Sequence, residues 1–309
     1  MITWGITALN HDASIAVVKD DKLAFWAQSR NYTYHGDELL CKPLIYDVLA
    51  HGKPDQIAWY ERPLIKKFRQ LYAGQYADAF DSQVLPSIYL KKLPIPSIPI
   101  KYFSHHKTHA AAGFYTSTFD SAAIVVLDAI GEWESASIWK GTGKTLTKLW
   151  SVSYPTSLGL FYSAFTKLIG YKPLGEEHLL QLDSDHGSYT RYYETVADYF
   201  KSPMQARYNL HRGVYNWPHK ISSSHDRYDI ATAVQRVFEE QVIWVMYKAL
   251  ELTGERNLVY MGGCAMNSKA RQRILPLWDN VWGLPVPGDS SSAIGAALLL
   301  ADTRISWPS

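Results

Sequence analysis

Two cysteines in 309 residues, Cys41 and Cys264, provide no disulfide framework for a chain of this size. Long apolar runs are also missing: the longest candidate, AIGAALLLA near the carboxyl end, falls well short of the ~18 residues that span a bilayer. The opening MITWGITALNHDASIAVV has no basic flank and reaches His11 and Asp12 too soon for a secretory leader. No charge sign dominates. The 31 Lys+Arg against 29 Asp+Glu leave a net charge of +2, which requires neither nucleic acid nor a membrane as partner. The Gly-x-Ser-x-Gly elbow, the Walker A loop and the Gly-x-Gly-x-x-Gly fingerprint are all absent. The expectation is a soluble, cytoplasmic protein without a membrane partner. With 47% hydrophobic and 19% charged residues, global disorder is excluded. An aromatic content of 14% suits stacking surfaces or a core rich in large rings.

The pattern along the chain is α/β. TWGITAL, the turn NHDAS and the strand IAVV form a hairpin, and AAIVVLD, the turn AIGE and SASIWKG form another. Each carries an acidic residue in or beside its first turn, which predicts an internal duplication: residues 1–118 as one half, 119–309 as the other, with an insertion at about 150–228. Between the hairpins, ELLCKPLIYDVLAHG reads as a helix stopped by Gly52, QIAWYE as a buried strand and residues 64–82 as helical. The proline-rich stretch from Val84 to Ile100 reads as an extended connector. SHHKTHAAAGFYT reads as a helix capped by Ser104. Residues 228–253 form the strongest helical pattern, stopped by Gly254. Strand NLVYM, turn GGCAMN and a helix follow, then strand VWGLPV, turn PGDSSS and helix AIGAALLLA. Ligand sites in such folds lie in the turns.

His105 and His109 stand at i, i+4, so both imidazoles project from one helix face and can share a cation. His106 is the alternative at i, i+3 and ranks lower. Asp128 ends a buried strand, and Asp289 is placed in the same way after VWGLPV. Two histidines and two carboxylates suit Fe²⁺, Mn²⁺ or Zn²⁺. Gly262 and Gly263, with Asn267 closing their turn, Gly288 and Ser290, and the 10–14 turn offer backbone N–H groups and hydroxyls to a phosphate. Cys264 is a candidate nucleophile, although a small residue beside a phosphate explains it better.

HHKTHAAAGFYTSTFDSAAIVVLDAIGEWESASIWKG, PTSLGLFYSAFTKLIGYKPLGEE and the stretch from DIATAVQRVFEE through MGGCAMN to PGDSSSAIGAAL resemble the amino-terminal domain of the nodulation and antibiotic O-carbamoyltransferases, which is related to threonylcarbamoyl transferases. The resemblance implies a duplicated actin-like ATPase fold with nucleotide between the halves. It also implies a metal on His105, His109, Asp128 and Asp289, and ATP or carbamoyl-adenylate contacts from Gly131, Glu132, Gly262, Gly263, Asn267, Gly288 and Ser290. The implied reaction moves a carbamoyl group, drawn from carbamoyl phosphate through carbamoyl-adenylate, to an acceptor hydroxyl. Asp12, or His11 beside it, is the candidate base.

The acceptor stays open between a sugar or natural-product hydroxyl and a hydroxymethylated base in nucleic acid. In the second case Lys66, Lys67, Arg69, Lys91 and Lys92 would meet phosphates; otherwise they are solvated surface. The sequence departs from the family at Glu177-His178-Leu179-Leu180-Gln181-Leu182, where a lysine and a Met-Gly-Leu-Ala run are usual. Members of the family usually carry a further domain that activates carbamoyl phosphate, so the expectation is either a separate activating protein as partner or use of carbamoyl phosphate by this domain in another way. The competing expectation is a non-catalytic nucleotide-binding subunit of the same fold.

Overall fold

The computed structural model describes residues 1–33 and 38–307. The first half comprises β1 (Ile2–Thr7), β2 (Ser14–Lys19), β3 (Lys22–Gln28), α1 (Lys42–Ala50), β4 (Gln56–Trp59), α2 (Pro63–Tyr72), α3 (Tyr76–Phe80), α4 (Pro86–Leu90), β5 (Ile100–Tyr102) and α5 (His105–Phe114). The second comprises β6 (Ser121–Leu127), β7 (Glu134–Thr142), β8 (Thr145–Ser153), α6 (Leu158–Leu168), α7 (Glu177–Asp183), α8 (Tyr193–Ala197), β9 (Phe200–Ser202), β10 (Gln205–Ala206), α9 (Ser224–Thr253), β11 (Asn257–Met261), α10 (Ser268–Ile274), β12 (Asn280–Trp282) and α11 (Ser292–Ala301).

Each half is built on a five-stranded sheet, and the two sheets share one topology. The first runs β3-β2-β1-β4-β5; the second, read from its β8 edge, runs β8-β7-β6-β11-β12. In both, the three hairpin strands pair antiparallel and the last two join in parallel. This repeat is the duplication that the paired hairpins predicted.

The period of two along the strands divides the core into layers. Trp4, Ile6, Ile15 and Val17 point outward from the first sheet onto α1, whereas Ala16 and Val18 point inward. Ala123, Val125 and Leu127 face α6 and α9; Ala122, Ile124 and Val126 face the interior. Helices α5 and α11 fill the space between the sheets, and both are rich in Ala and Gly where they meet. Glycine is required there. A Cβ on Gly295 would lie 2.8 Å from Ala112 N and closer still to the Thr108 carbonyl, and one on Gly5 would lie 2.7 Å from Ala297 N. The last helix of the chain therefore packs against the first sheet.

Several local expectations change. Residues 64–82 form two helices, broken where Gly74 adopts φ +76°. The proline-rich stretch contains α4, because Pro86 occupies the first turn, where no N–H is needed. The 228–253 pattern extends back to Ser224 under a capping box of Ser223 and Asp226, and it stops at left-handed Gly254. Ser104 holds the N-cap position of α5, but its side chain makes no cap hydrogen bond. Within 150–228, α6 buries Leu158, Phe161 and Phe165 in the second half's core. Among the described residues no helix is long and apolar enough to cross a membrane.

Candidate metal centre

The first two turns of α5 point both imidazoles at one spot, with His105 Nε2 and His109 Nε2 3.1 Å apart. Asp128 leaves the end of β6 and places Oδ2 3.1 Å from His105 Nε2. Asp289 lies beyond Pro285 and Pro287 in the turn that leads into α11. It is farther from its strand than the sequence suggested, since β12 ends at Trp282. Its Oδ1 is 3.2 Å from His109 Nε2 and 3.3 Å from His105 Nε2. One donor atom from each of these four buried residues falls within 4.8 Å of the others. The set thus joins α5, the central strand of the second sheet and the start of α11.

Neighbouring groups fix the four side chains. A Cβ on Gly131 would lie 2.8 Å from His105 Cδ2, so the bare backbone there lets the turn close on the ring. Gly263 N–H donates to Asp128 Oδ1 at 3.2 Å, and Asn10 Nδ2 donates to Asp289 Oδ2 at 3.4 Å. Tyr60 packs its ring 5.4 Å from that of His105, and its hydroxyl has no hydrogen-bond partner among the described residues. His106 turns away, its Nδ1 2.7 Å from Ser137 Oγ, which leaves His105 as the residue in the cluster.

The electrostatics require a positive charge in the cluster. Burial and Asp289 push the Asp128 carboxyl up, but the hydrogen bond and charge of His105 outweigh them and bring it to about 2. Burial likewise opposes ionisation of Asp289, and the charges of His105 and His11 hold it well below the ordinary carboxylate range. Burial alone would lower His105; Asp289 and Asp128 raise it well above the usual imidazole value. Two ionised, buried carboxylates with neutral imidazoles carry a double negative charge, which a divalent cation cancels. The nitrogen and oxygen donors and their convergence fit such an ion. Neither His105 Nδ1 nor His109 Nδ1 has a hydrogen-bond partner among the described residues, so the outer support usual for metal-bound histidine is missing on that side.

The remaining candidates occupy the rim. Asp12 has φ +63° in the β1–β2 turn; one of its oxygens meets Arg30 and the other lies 3.1 Å from His11 Nδ1. His11 Nε2 is 3.6 Å from Asp289 Oδ2, and its side chain is 44% exposed. Gly262 adopts φ +91° and donates its N–H to Pro287 O, tying the turn after β11 to the one before Asp289. Helix α10 begins only at Ser268, after a short 3₁₀ turn at Gly263–Met266. Asn267 caps it, and its amide pairs with Gln235. Gly288 O accepts from Ser291, and Ser290 O accepts from Ser14 Oγ and Trp26 Nε1; among the described residues the Ser290 hydroxyl has no partner. Cys264 is buried, and burial, then Asp128 and Glu177, push its thiol up, which disfavours a nucleophilic thiolate.

Glu132 accepts from Arg62 at its backbone N–H (2.5 Å) and from Nε (2.8 Å), so this pair clips the start of α2 to the second hairpin across the cleft mouth. Sequence reasoning missed Arg62 and Tyr60, because nothing local signals a partner far along the chain, 70 residues on for Arg62; it named Asn10 only within a turn able to hold phosphate. Lys67 is not free surface: its ammonium donates to the Ala79 and Asp81 carbonyls. Arg69, grouped with the surface lysines from sequence, is buried.

The architecture has solved counterparts. Full-length HypF, in a phosphate- and nucleotide-bound form, matches with a TM-score of 0.51 at 13% identity, over 97% of this chain and 55% of that one. T. kodakarensis HypF gives 0.50 at 14% identity, over 96% and 47%. The chain thus has the actin-like ATPase fold. Sequence comparison narrows this further. Residues 45–298 match the family model described as Carbamoyltransferase N-terminus, and the chain belongs to that family. An uncharacterized Synechocystis protein is 28% identical over 95% of this chain and 56% of its own length. The nodulation protein NolNO of Sinorhizobium fredii is 24% identical over 87% of this chain and 38% of its own. The chain therefore spans about half, or less, of the curated relatives it matches.

Proposed function

We propose that the chain provides the transfer site of an O-carbamoyltransferase, with a divalent cation held by His105, His109, Asp128 and Asp289. The observation that carries this reading is the convergence of those four side chains within 4.8 Å in a chain of the carbamoyltransferase family. Fe²⁺, Mn²⁺ and Zn²⁺ all suit the donor set. When bound, the cation supplies Lewis-acid polarisation to a carbamoyl or phosphate oxygen.

The chain's own residues supply the rest. Both Asp12 oxygens are engaged, one by Arg30 and one by His11, which leaves Asp12 to orient its neighbour. His11, partly exposed at the rim, is the group able to take the proton from an acceptor hydroxyl. ATP or carbamoyl-adenylate would lie along the bare backbone of Gly262–Gly263 and Gly288. Glu132 holds Arg62 at the mouth, and Asn267 and Ser290 support the loops from behind. Carbamoyl phosphate is the ultimate donor in this reading, and a separate activating protein or a further segment provides the adenylate. The acceptor is a sugar or natural-product hydroxyl. The basic residues weighed for a nucleic-acid acceptor are largely committed to internal carbonyl and carboxylate contacts.

The test supplies carbamoyl-adenylate, each of the three metals and a panel of hydroxyl acceptors, and detects the mass of one added carbamoyl group. Metal content is measured in parallel for His109→Ala and Asp128→Asn. The expected outcome is transfer by the metal-loaded protein and loss of metal in both variants. Undiminished metal in both would reject the ligand assignment. Nucleotide binding without transfer to any acceptor would instead identify a non-catalytic subunit.

A further inference from the structure

A second group of cations lies outside the metal centre, where α2 meets the segments that follow β8. Arg69, on α2, is only 7% exposed. Its Nη1 donates to Gln75 Oε1 at 2.7 Å, but its Nε has no hydrogen-bond partner, and no carboxylate pairs with it among the described residues. Three neighbouring cations face acids: Arg62 meets Glu132, Lys66 meets Glu61 and Arg30 meets Asp12, whereas Lys67 and Arg212 donate to backbone carbonyls. Arg69 is the buried one among those without a contacting carboxylate; Glu61 and Asp78 act on it only at longer range, and burial outweighs them, so an anion in contact would stabilise it.

The surroundings suit such an anion. Arg212, which is exposed, donates to Ala73 O at 3.3 Å and so anchors the 210–212 turn to the end of α2. The ring of His211 stands edge-on to Tyr154 at 5.8 Å, and Asn209 Nδ2 donates to the Tyr154 hydroxyl at 2.6 Å. Arg69 donates to Gln75 and Arg212 to Ala73, so both guanidiniums meet the 73–75 turn, and burial, then these two charges, lower the His211 pKa. An aromatic wall adjoins them. Tyr72, 67% exposed, lies 5.4 Å from Trp133 and 6.2 Å from Tyr154. Trp133 follows Gly131 and Glu132, so the wall continues the lip of the metal cleft.

We propose that Arg69, Arg212 and Tyr154 bound an oxyanion subsite for a phosphate ester carried on a ring, with the phosphate on the two guanidiniums and the ring against Tyr72. Guanidinium forks match phosphate oxygens two at a time, and an exposed tyrosine face accepts either a sugar ring or a base. As the place where an acceptor docks, the subsite rests on the carbamoyl-transfer reading; as an anion site it stands without that reading.

Binding is measured calorimetrically in EDTA at physiological ionic strength, using inorganic phosphate, glucose 6-phosphate, AMP and glucose. Wild type should bind both esters, with glucose silent; the tighter ester identifies sugar or base as the ring. Arg212→Ala should weaken ester binding by at least about tenfold, the loss expected for a hydrogen bond to a charged group. Tyr72→Ala should weaken the esters while leaving inorganic phosphate unchanged. Arg69→Met should lose ester binding yet melt no lower than wild type without ligand, because it removes an unpaired buried charge. His109→Ala should retain ester binding, which separates this subsite from the metal centre. Wild-type silence toward every phosphate probe would overturn the proposal, as would wild-type affinity in both arginine variants. Loss of ester binding in His109→Ala would assign the anion to the metal cleft instead.

Discussion

Replacing Gly295 by alanine tests the helix pair on which the metal centre is built. The added methyl would lie 2.8 Å from Ala112 N and closer to the Thr108 carbonyl, both on the backbone of α5. Ordinary carbon contacts begin near about 3.5 Å, so α11 must retreat by roughly 0.7 Å or more. Retreat is blocked, because Gly5 of β1 lies against the other side of α11 and allows not even a methyl beside Ala297 N. Overpacking costs about 1–3 kcal/mol, and backbone on both sides argues for the upper end. The helical preference of alanine over glycine returns about 1 kcal/mol. The net loss of about 2 kcal/mol corresponds to a melting temperature lower by roughly 3 °C in a chain of this size. Metal affinity should fall as well, since α11 begins just after Asp289 and α5 carries both histidines. Thermal unfolding and metal titration of Gly295→Ala are compared with Gly175→Ala, where a methyl meets nothing within 4 Å. A Gly295→Ala protein that melts at or above the wild-type temperature and binds metal equally well would refute the close-packing argument.

Arg62→Ala strips the guanidinium contacts from Glu132, 4% exposed, and leaves it only the backbone N–H of residue 62. Arg62 itself is half exposed, so solvent discounts the loss to about 1–2 kcal/mol, visible as a lower urea midpoint. Iodoacetamide at mildly alkaline pH should add one label per native molecule, at the partly exposed Cys41; equal labelling of Cys264 would contradict its burial. Ser223→Ala removes the N-cap of α9 and should cost about 1 kcal/mol by urea unfolding. The Asp226 carboxyl is held below its ordinary range, first by the Ser222 backbone N–H and then by the Ser223 and Tyr192 hydroxyls. A depressed carboxyl stabilises above its unfolded value, near 4, and that contribution disappears as pH falls toward the folded value. Asp226→Asn should therefore be less stable than wild type at neutral pH and converge on it in acid; a constant gap across that range would assign the effect elsewhere.

The chemistry that depends on local spacing was legible in the sequence. The i, i+4 histidines and the carboxylate that ends β6 follow from helix and strand periodicity, and both hairpins were visible as paired β-rich runs. The sheet order follows from the second hairpin repeating the first. What depends on distant contacts was not legible. Glu132 and Asn267, expected at the nucleotide, are each also engaged from a distant element, by Arg62 and Gln235, and nothing local shows those partners. Arg69 lies in a basic run with Lys66 and Lys67, and only the packing of α2 against the second half shows that it is buried. Asp289 was found for a partly mistaken reason: two prolines cut β12 short, and it is the turn into α11 that delivers the carboxylate.

The position of α11 also sets an order of assembly. Its residues lie in the last tenth of the chain, yet they cover the inner face of β1 and β2, made at its beginning. The first sheet therefore emerges during synthesis with its inner face uncovered, and it stays so until residues 292–301 arrive. Contacts of such long sequence separation slow folding and prolong the exposure of apolar strands. A chain interrupted before residue 289 lacks more than a helix: it has neither the cover for its first sheet nor the second carboxylate of the cluster. Covering of the first sheet and placement of Asp289 beside the histidines thus depend on one segment.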